Sequence, residues 1–360
     1  MAGRAYGIAV LPGDGIGQEV TPQGVRVLEA VARQEGLTLR LELGLVGGTA
    51  YEKTGDSLPD ETTRLCRASD AVLFGSVGGP VLDALPRDRR RGLLELRQQM
   101  GLFANLRPSI AWPPLAAASP IRPEVLQGAD ILFVRELAAG LYYGPSGHDT
   151  RDGVERAWDT MLYTAPDVER VARVAFGLAQ GRRRRLTSID KANVLESSRL
   201  WRRAVTRVGA EFPDVTLEHL IVDNASLQLI RTPARFDVVV SENTFGDILS
   251  DELGALAGSL GMLPSASLAG SGPGLFEPVH GSAPDIAGQG IANPLGAILS
   301  AALLLEHGLG LPAAAARVQR AVGAVLAAGW RTADLAGAGG TVVGTVRMGD
   351  LVVEALADTR

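Results

Sequence analysis

The chain has 360 residues, enough for two domains or one large α/β unit with a sizeable core, so a peptide-sized binding module is excluded. Apolar residues make up 46% and charged residues 21%, with a net charge of -5; disorder is disfavoured and there is no basic footprint for nucleic acid. A single cysteine, Cys66, excludes an internal disulfide framework or a cysteine-based metal cluster, and reads as a buried helix residue.

Tyr6 to Leu11 predicts a buried strand, followed by a glycine turn and an amphipathic helix from Glu19 to Gln34. Leu37 to Leu43 alternates apolar and polar residues as a half-buried strand does, and Ala71 to Phe74 predicts a short buried one. Trp112 to Pro123, rich in proline and alanine, is loop-like. The rhythm returns in the strand Ile131 to Val134, the helix Val168 to Ala179, the strand Leu186 to Ile189, the helix Arg199 to Val208 and the strand Phe236 to Val240. Arg182 to Arg185 falls where a predicted helix ends, and reads as a solvated run complementing the helix dipole. Two later helices, Pro294 to Glu306 and Pro312 to Ala328, are apolar round much of their circumference and predict deep packing. The fold class is therefore α/β, with helices on the faces of a sheet. The apolar start Ala5 to Leu11 runs straight into Pro12-Gly13-Asp14-Gly15, which is not the shape of a secretory leader. The longest apolar stretch, around Leu295 to Leu305, falls short of the roughly 18 residues of a membrane span, so a cytoplasmic location is expected.

Four features carry chemistry. Gly13, Gly15 and Gly17 lie between a strand and a helix, but the third glycine comes one residue too early for the ordinary dinucleotide fingerprint; a tight turn near a ligand cleft fits better. Asp247 and Asp251, four apart, share one face of a helix, either as a solvated acidic pair or as ligands of a hard divalent cation such as Mg²⁺ or Mn²⁺. Asp223 is a further acid directly after a strand. Arg97, Arg107 and Arg135 sit in apolar segments and need anionic partners, either internal carboxylates or those of a di- or tricarboxylate substrate. Lys191, one of two lysines in a chain that otherwise uses arginine, ends another strand and is a candidate general base.

Together, Leu11 to Gly17, Leu102 to Pro108, Val134 to Leu137, Asp190 to Leu195, Phe245 to Asp251 and the run Glu277 to Pro294 resemble the metal-dependent β-decarboxylating dehydrogenases of 3-substituted malates, the isocitrate/isopropylmalate family, over nearly the whole chain. The resemblance implies a two-domain α/β fold distinct from the ordinary Rossmann fold: a large NAD-binding domain from residues 1–102 and 258–360, and a small one from 103–257 with the dimer interface, metal and substrate residues. It implies a homodimer with shared active sites, with no nucleic-acid or membrane partner. Arg97, Arg107 and Arg135 then clamp the malate carboxylates, while Leu93 and Leu94 wall an apolar C3 substituent. Asp247 and Asp251 become metal ligands from one subunit, and Asp223 a metal- and substrate-binding group given by the other. Lys191, also from the partner, takes the hydroxyl proton, and Tyr142 protonates the enol carbon. Cofactor contacts fall to Gly78, His280, Gly281, Ser282, Ala283, Pro284, Asp285, Ile286 and Asn293. A carboxylate at Asp285 accepts ribose hydroxyls and repels a 2′-phosphate, favouring NAD over NADP.

The expected reaction is NAD-dependent oxidative decarboxylation of 3-isopropylmalate to 2-oxoisocaproate, a step of leucine biosynthesis. One stretch departs from the pattern: Arg87-Asp88-Arg89-Arg90-Arg91 is two residues shorter than the usual segment and lacks its glutamate. Ala138-Ala139 also replaces the usual Thr-Gly. The short loop raises an alternative, a paralogue acting on another apolar 3-substituted malate such as 3-benzylmalate.

Overall fold

The computed structural model describes residues 5–86, 89 and 92–358. The chain divides into two compact units. Met1–Leu102, Ala111–Pro123 and Gly254–Arg360 make the first; Phe103–Ile110 and Glu124–Leu253 make the second. In chain order the principal strands are β1 (Ala5–Gly13), β2 (Thr38–Leu43), β3 (Ala71–Ser76), β4 (Leu102–Ile110), β5 (Asp130–Glu136), β6 (Ser146–Arg151), β7 (Val154–Asp159), β8 (Arg185–Asp190), β9 (Thr216–Ile221), β10 (Val238–Ser241), β11 (Pro264–Ala269) and β12 (Gly274–Pro278).

The first unit orders its strands β2-β1-β3-β12-β11. All its pairs are parallel except β11 with β12. β3 is buried end to end, as its run Ala-Val-Leu-Phe predicts for a parallel strand covered on both faces. The C-terminal part of the chain thus returns to complete the N-terminal unit. Over this sheet the helix Gly17–Glu35 packs against the helices Leu295–Leu303 and Thr345–Asp358. Every residue of Leu295–Leu303 is buried, which is why its sequence shows little polar face. β2 is an edge strand and keeps the expected alternation, with Leu39 and Leu41 partly buried between exposed Thr38, Arg40 and Glu42; only Leu43 at its end departs, at 79% exposed. Cys66 is buried in the helix Asp60–Ala68, and burial pushes its thiol up to about 12, so it is chemically quiet at neutral pH.

In the second unit the order is β4-β5-β10-β8-β9, with β4 antiparallel to β5 and the rest parallel. The helix Ala165–Gln180 starts at a reciprocal cap between Thr164 and Asp167 and packs on the helix Glu196–Gly209. β6 and β7 form a separate exposed hairpin closed by Asp152-Gly153, both at positive φ, a pairing that suits a tight hairpin turn. Its strands lack apolar alternation, so only that dipeptide signals it in the sequence. The arginine run is not simply solvated. Arg182 Nε lies 2.8 Å from Asp237 Oδ1 and its Nη2 lies 3.0 Å from Asp130 Oδ1, because the helix end turns back over the β5 and β10 starts.

The first-unit glycine turn is shaped by steric need. Gly15, at φ +53°, would place a Cβ 2.0 Å from the Ser282 carbonyl oxygen, and next to it the Ile16 N–H donates to that same oxygen at 2.9 Å. Gly36, by contrast, has φ +65° with open space around it. Gly36→Ala is therefore expected to cost about 1 kcal/mol through its backbone alone, and Gly15→Ala clearly more, since it also collides with backbone. Denaturant unfolding of both variants measures the difference, and equal losses would show that the turn yields freely.

Candidate active site

In the second unit the site grows from the ends of β5 and β10. Arg135 on β5 is paired in register with Ser241 of β10 and Asn105 of β4, and its side chain is only 2% exposed. Its Nη1 is ion-paired with Asp247 Oδ1, its Nη2 donates to Asn243 Oδ1 at 2.8 Å, and its Nε donates to both the Oδ1 and the carbonyl oxygen of Asn243 at 3.0 Å. Arg107, two residues beyond Asn105 on β4, shares that residue's face of the strand. It donates from Nε to Asn105 Oδ1 at 2.8 Å, from Nη1 to Asp251 Oδ1 at 2.5 Å and Ser250 Oγ at 2.8 Å, and from Nη2 to Asp247 Oδ1 at 3.2 Å.

Asp247 and Asp251 occupy one face of the helix Asn243–Glu252. Two carboxylates one turn apart repel each other, and the two guanidiniums offset that repulsion. Burial nevertheless holds the Asp251 carboxyl above its ordinary range, with the Asp247 charge adding to the effect. Tyr142 donates its hydroxyl to Asp247 Oδ2 at 2.8 Å, and the Arg135 guanidinium lies 5.4 Å from its ring centre. Burial first, and that hydrogen bond second, hold the phenol above its usual range, so it stays protonated near neutral pH.

Lys191 directly follows β8 and Asp223 is the second residue of the helix Val222–Arg231 after the neighbouring β9, so parallel pairing brings them together, and Lys191 Nζ donates to Asp223 Oδ2. This contact holds the Asp223 carboxyl below its ordinary value. The three aspartates therefore do not converge: among the described residues no group of three acidic, histidine or cysteine side chains could hold a metal ion. Asp247 and Asp251 offer hard oxygen donors, a set that fits part of the shell of Mg²⁺ or Mn²⁺.

In the first unit, Arg97 is buried with Glu277, Nη2 to Oε1 at 2.6 Å. Leu93 is half-buried, and Leu94 is 47% exposed on the first turn of the helix Leu93–Gln99. The segment from His280 to Asn293 lies against the glycine turn. Gly78 donates its N–H to Asp14 Oδ2 at 3.1 Å, and a Cβ there would come within 3.3 Å of Ser282 Oγ. Ala283 adopts positive φ, Pro284 and Asp285 are exposed, and Ile286 packs with Ala283 on a cluster of Ile16, Val20, Ala292 and Ala297. Glu19 takes the N–H groups of Gly288 and Gly290, pinning the turn that bears Asp285. Asn293 donates to Asp334 Oδ2 at 3.0 Å, and His280 Nδ1 lies 2.9 Å from the Gly281 carbonyl. Burial lowers the His280 imidazole below its usual value, so it is neutral at physiological pH. Of the altered loop, Arg87, Asp88, Arg90 and Arg91 lie outside the described residues.

Sequence reading missed the residues that hold these groups in place: Asn105, Asn243, Glu242 and Glu136. Glu242 caps the Asp247 helix, accepting from Phe245 N at 2.6 Å and Thr244 N at 3.0 Å, and also accepts from the Tyr163 hydroxyl. Glu136 accepts the N–H groups of Ala138 and Ala139, at 2.8 and 3.0 Å, on the segment leading to Tyr142. A polar residue at or just after the end of a strand was the available signal for Glu136, Glu242 and Asn243, and it does not distinguish a support from a ligand; Asn105 lies within β4 and carried no such signal.

Residues 7–352 match the family described as isocitrate/isopropylmalate dehydrogenase. The chain is 56% identical over 356 residues to a 3-isopropylmalate dehydrogenase of Geobacillus kaustophilus (strain HTA426), covering 98% of this chain and 96% of the relative. It is 55% identical to one from Synechococcus sp. (strain JA-3-3Ab), covering 98% and 94%. Among solved structures, an isocitrate dehydrogenase from Methylococcus capsulatus aligns with TM-score 0.87 at 36% identity, covering 98% of this chain and 99% of that one. A β-decarboxylating dehydrogenase from Thermococcus kodakarensis aligns with TM-score 0.80 at 39% identity, covering 98% and 96%.

Burial pushes the Glu136 carboxyl up from 4.5 to about 7, against the pull of its two backbone donors. The native state thus binds this proton more tightly than the unfolded chain. Its contribution is full below the unfolded value and is lost as pH rises through the native one. Wild type is expected to lose about 3 kcal/mol relative to Glu136→Gln between about pH 4.5 and 7. Denaturant melts of the pair across that range check it, and a pH-independent difference would assign Glu136 an ordinary carboxyl.

Proposed function

The chain belongs to the isocitrate/isopropylmalate dehydrogenase family, and from that footing we propose that it catalyses the NAD-dependent oxidative decarboxylation of 3-isopropylmalate to 2-oxoisocaproate, in leucine biosynthesis. The observation that carries this reading is the convergence of Arg107, Arg135, Asp247, Asp251 and Tyr142 at one end of the second-unit sheet.

Each group has a role that its setting supports. Arg107, Arg135 and Arg97 bind the two malate carboxylates and so orient the C2 hydrogen and the C3 carboxylate. The partner subunit's Lys191 accepts the proton of the C2 hydroxyl. When bound, a divalent cation supplies a Lewis acid for the C2 oxygen and NAD supplies the hydride acceptor. Asp247 and Asp251, with the partner subunit's Asp223, would hold the cation; within one chain, among the described residues, Asp223 pairs with Lys191 and does not join the other two aspartates, which supports a homodimer that shares its sites. Once the C3 carboxylate has left as CO₂, the Tyr142 hydroxyl delivers a proton to C3.

For the cofactor, Gly78, His280, Gly281, Ser282, Ala283, Pro284, Asp285, Ile286 and Asn293 form the binding stretch. The exposed Asp285 carboxylate, on a turn fixed by Glu19, favours a free ribose and hence NAD over NADP. Leu93 and Leu94 favour an apolar C3 substituent. Among the described residues no helix is long and apolar enough to cross a membrane. As a step of leucine biosynthesis on a small-molecule malate, the reaction is one for a cytoplasmic enzyme without nucleic-acid or membrane partners.

Asp247→Asn is expected to lower turnover by orders of magnitude while thermal unfolding still reports a folded chain. Near-normal turnover of that variant in chelated buffer would overturn the metal assignment. Mixing Lys191→Ala with Asp247→Asn subunits is expected to restore partial activity, because both lesions then share one of the two sites. No recovery after verified subunit exchange would place each site within a single chain. For the shortened loop, kcat/KM is compared for C3-isopropyl, isobutyl and benzyl malates. Tolerance of the larger groups favours a widened pocket, gaining about 0.8 kcal/mol for each extra buried CH₂; a steep fall after isopropyl returns ordinary leucine biosynthesis.

A further inference from the structure

Asn243 is the first residue of the helix that carries Asp247 and Asp251, and its side chain is fully buried. Both ends of its amide are used. Oδ1 accepts two hydrogen bonds from Arg135, from Nε at 3.0 Å and Nη2 at 2.8 Å, and Nδ2 donates to the Ala139 carbonyl at 3.0 Å. Its backbone is used as well: the N–H donates to the Tyr163 hydroxyl at 3.0 Å, and the carbonyl accepts from Arg135 Nε at 3.0 Å. One residue thus touches the arginine read as a carboxylate clamp and the segment that ends, three residues on, at Tyr142. Through the helix it also sets the angle at which Asp247 and Asp251 project one and two turns later.

We propose that Asn243 is a positioning residue that couples the Arg135 clamp to the delivery of Tyr142, an assignment that rests on the functional reading above. The amide is suited to this because the two tasks need opposite polarity on one short stem. The guanidinium needs an acceptor and the Ala139 carbonyl needs a donor. A carboxylate supplies the first and faces the second with another acceptor; a hydroxyl on a shorter stem reaches neither as well. An isolated Arg135 keeps its charge paired through Asp247, but a single carboxylate oxygen does not fix the plane of the guanidinium as a two-point contact does. Ala138 and Ala139 hang on the Glu136 carboxylate by their N–H groups, so the Asn243 Nδ2 contact is what ties the carbonyl side of this segment to the helix that carries Asp247 and Asp251.

The chemistry separates the two arms. Asn243→Asp keeps the acceptor for Arg135, is tolerated at a helix N-terminus, and puts oxygen against the Ala139 carbonyl. Asn243→Ser removes both arms without adding charge. With 3-isopropylmalate, NAD and Mn²⁺, Asn243→Asp is expected to lower kcat by roughly tenfold to a hundredfold, the cost of a displaced proton donor, while KM stays within about twofold. Asn243→Ser is expected to raise KM as well, and calorimetric binding of 3-isopropylmalate to the protein, which needs no turnover, should weaken in this variant and not in Asn243→Asp. In a Tyr142→Phe background, Asn243→Asp should add little further loss, since the group that it positions is already gone. Additive losses, or a fall in kcat and a rise in KM that move together in both variants in step with Tm, would assign Asn243 a merely structural role and overturn the proposal. A wild-type enzyme inert toward the malate would overturn the functional reading together with this assignment, whereas an active wild type with unchanged kcat in Asn243→Asp would overturn the assignment alone.

Discussion

A guanidinium set into the interior at Arg135 is the constraint around which the second unit is arranged. A buried cation must be both paired and hydrogen-bonded, since leaving it without partners costs several kcal/mol. Its partners, Asp247 and Asn243, lie on one helix, more than a hundred residues further along the chain. That helix must start immediately after β10, and it must approach β5 closely. Gly246 makes the approach possible: a Cβ there would lie 2.8 Å from Arg135 Cγ and 3.1 Å from its Cβ. The same placement brings Asp251 to Arg107 and Asp247 to Tyr142. Arg107, Arg135, Tyr142, Asp247 and Asp251 are therefore gathered by one packed contact rather than by separate insertions.

The first unit solves the opposite problem, with carboxylates serving backbone donors. Asp14 is buried and accepts the N–H groups of Gly48, Thr49 and Gly78. Glu19 accepts those of Gly288 and Gly290. Loops with few apolar side chains cannot be held by hydrophobic packing, so charge-assisted hydrogen bonds to their amides do that work. The glycines at 13, 15 and 17 belong to this scheme. Their spacing misses the dinucleotide fingerprint because their immediate task is to let the loop at Ser282 and the end of β3 come within contact of the turn, where Gly13 and Gly17 would each press a Cβ onto backbone.

Elements with a strong apolar period were legible in the sequence to within a few residues, as β1, β3, β5, β8 and the helices Ala165–Gln180, Glu196–Gly209 and Pro312–Ala327 show. Those that place polar side chains inside were not. β4 carries Asn105, Arg107 and Ser109, all buried, so its pattern does not read as a strand although it packs as one. The exposed hairpin β6–β7 has the reverse fault, with no buried face. Arg182 misled for a related reason: a run of four arginines looks solvated until folding presents Asp130 and Asp237 to it.

The sequence by itself determined the family resemblance, the α/β class and the chemical types at the site. The four-residue spacing of Asp247 and Asp251 and the strand-end placement of Lys191 and Asp223 are local, and helix and strand periodicity make them readable. Tertiary structure alone decided who partners whom. Arg97 meets Glu277 across 180 residues, Asp223 meets Lys191 rather than the other aspartates, and Asn243 binds a strand and a loop at once. Spacing along a chain says which residues share a face. The pairing of buried charges and amides depends on strand register and on how closely two backbones approach, and those are settled only when distant segments pack together.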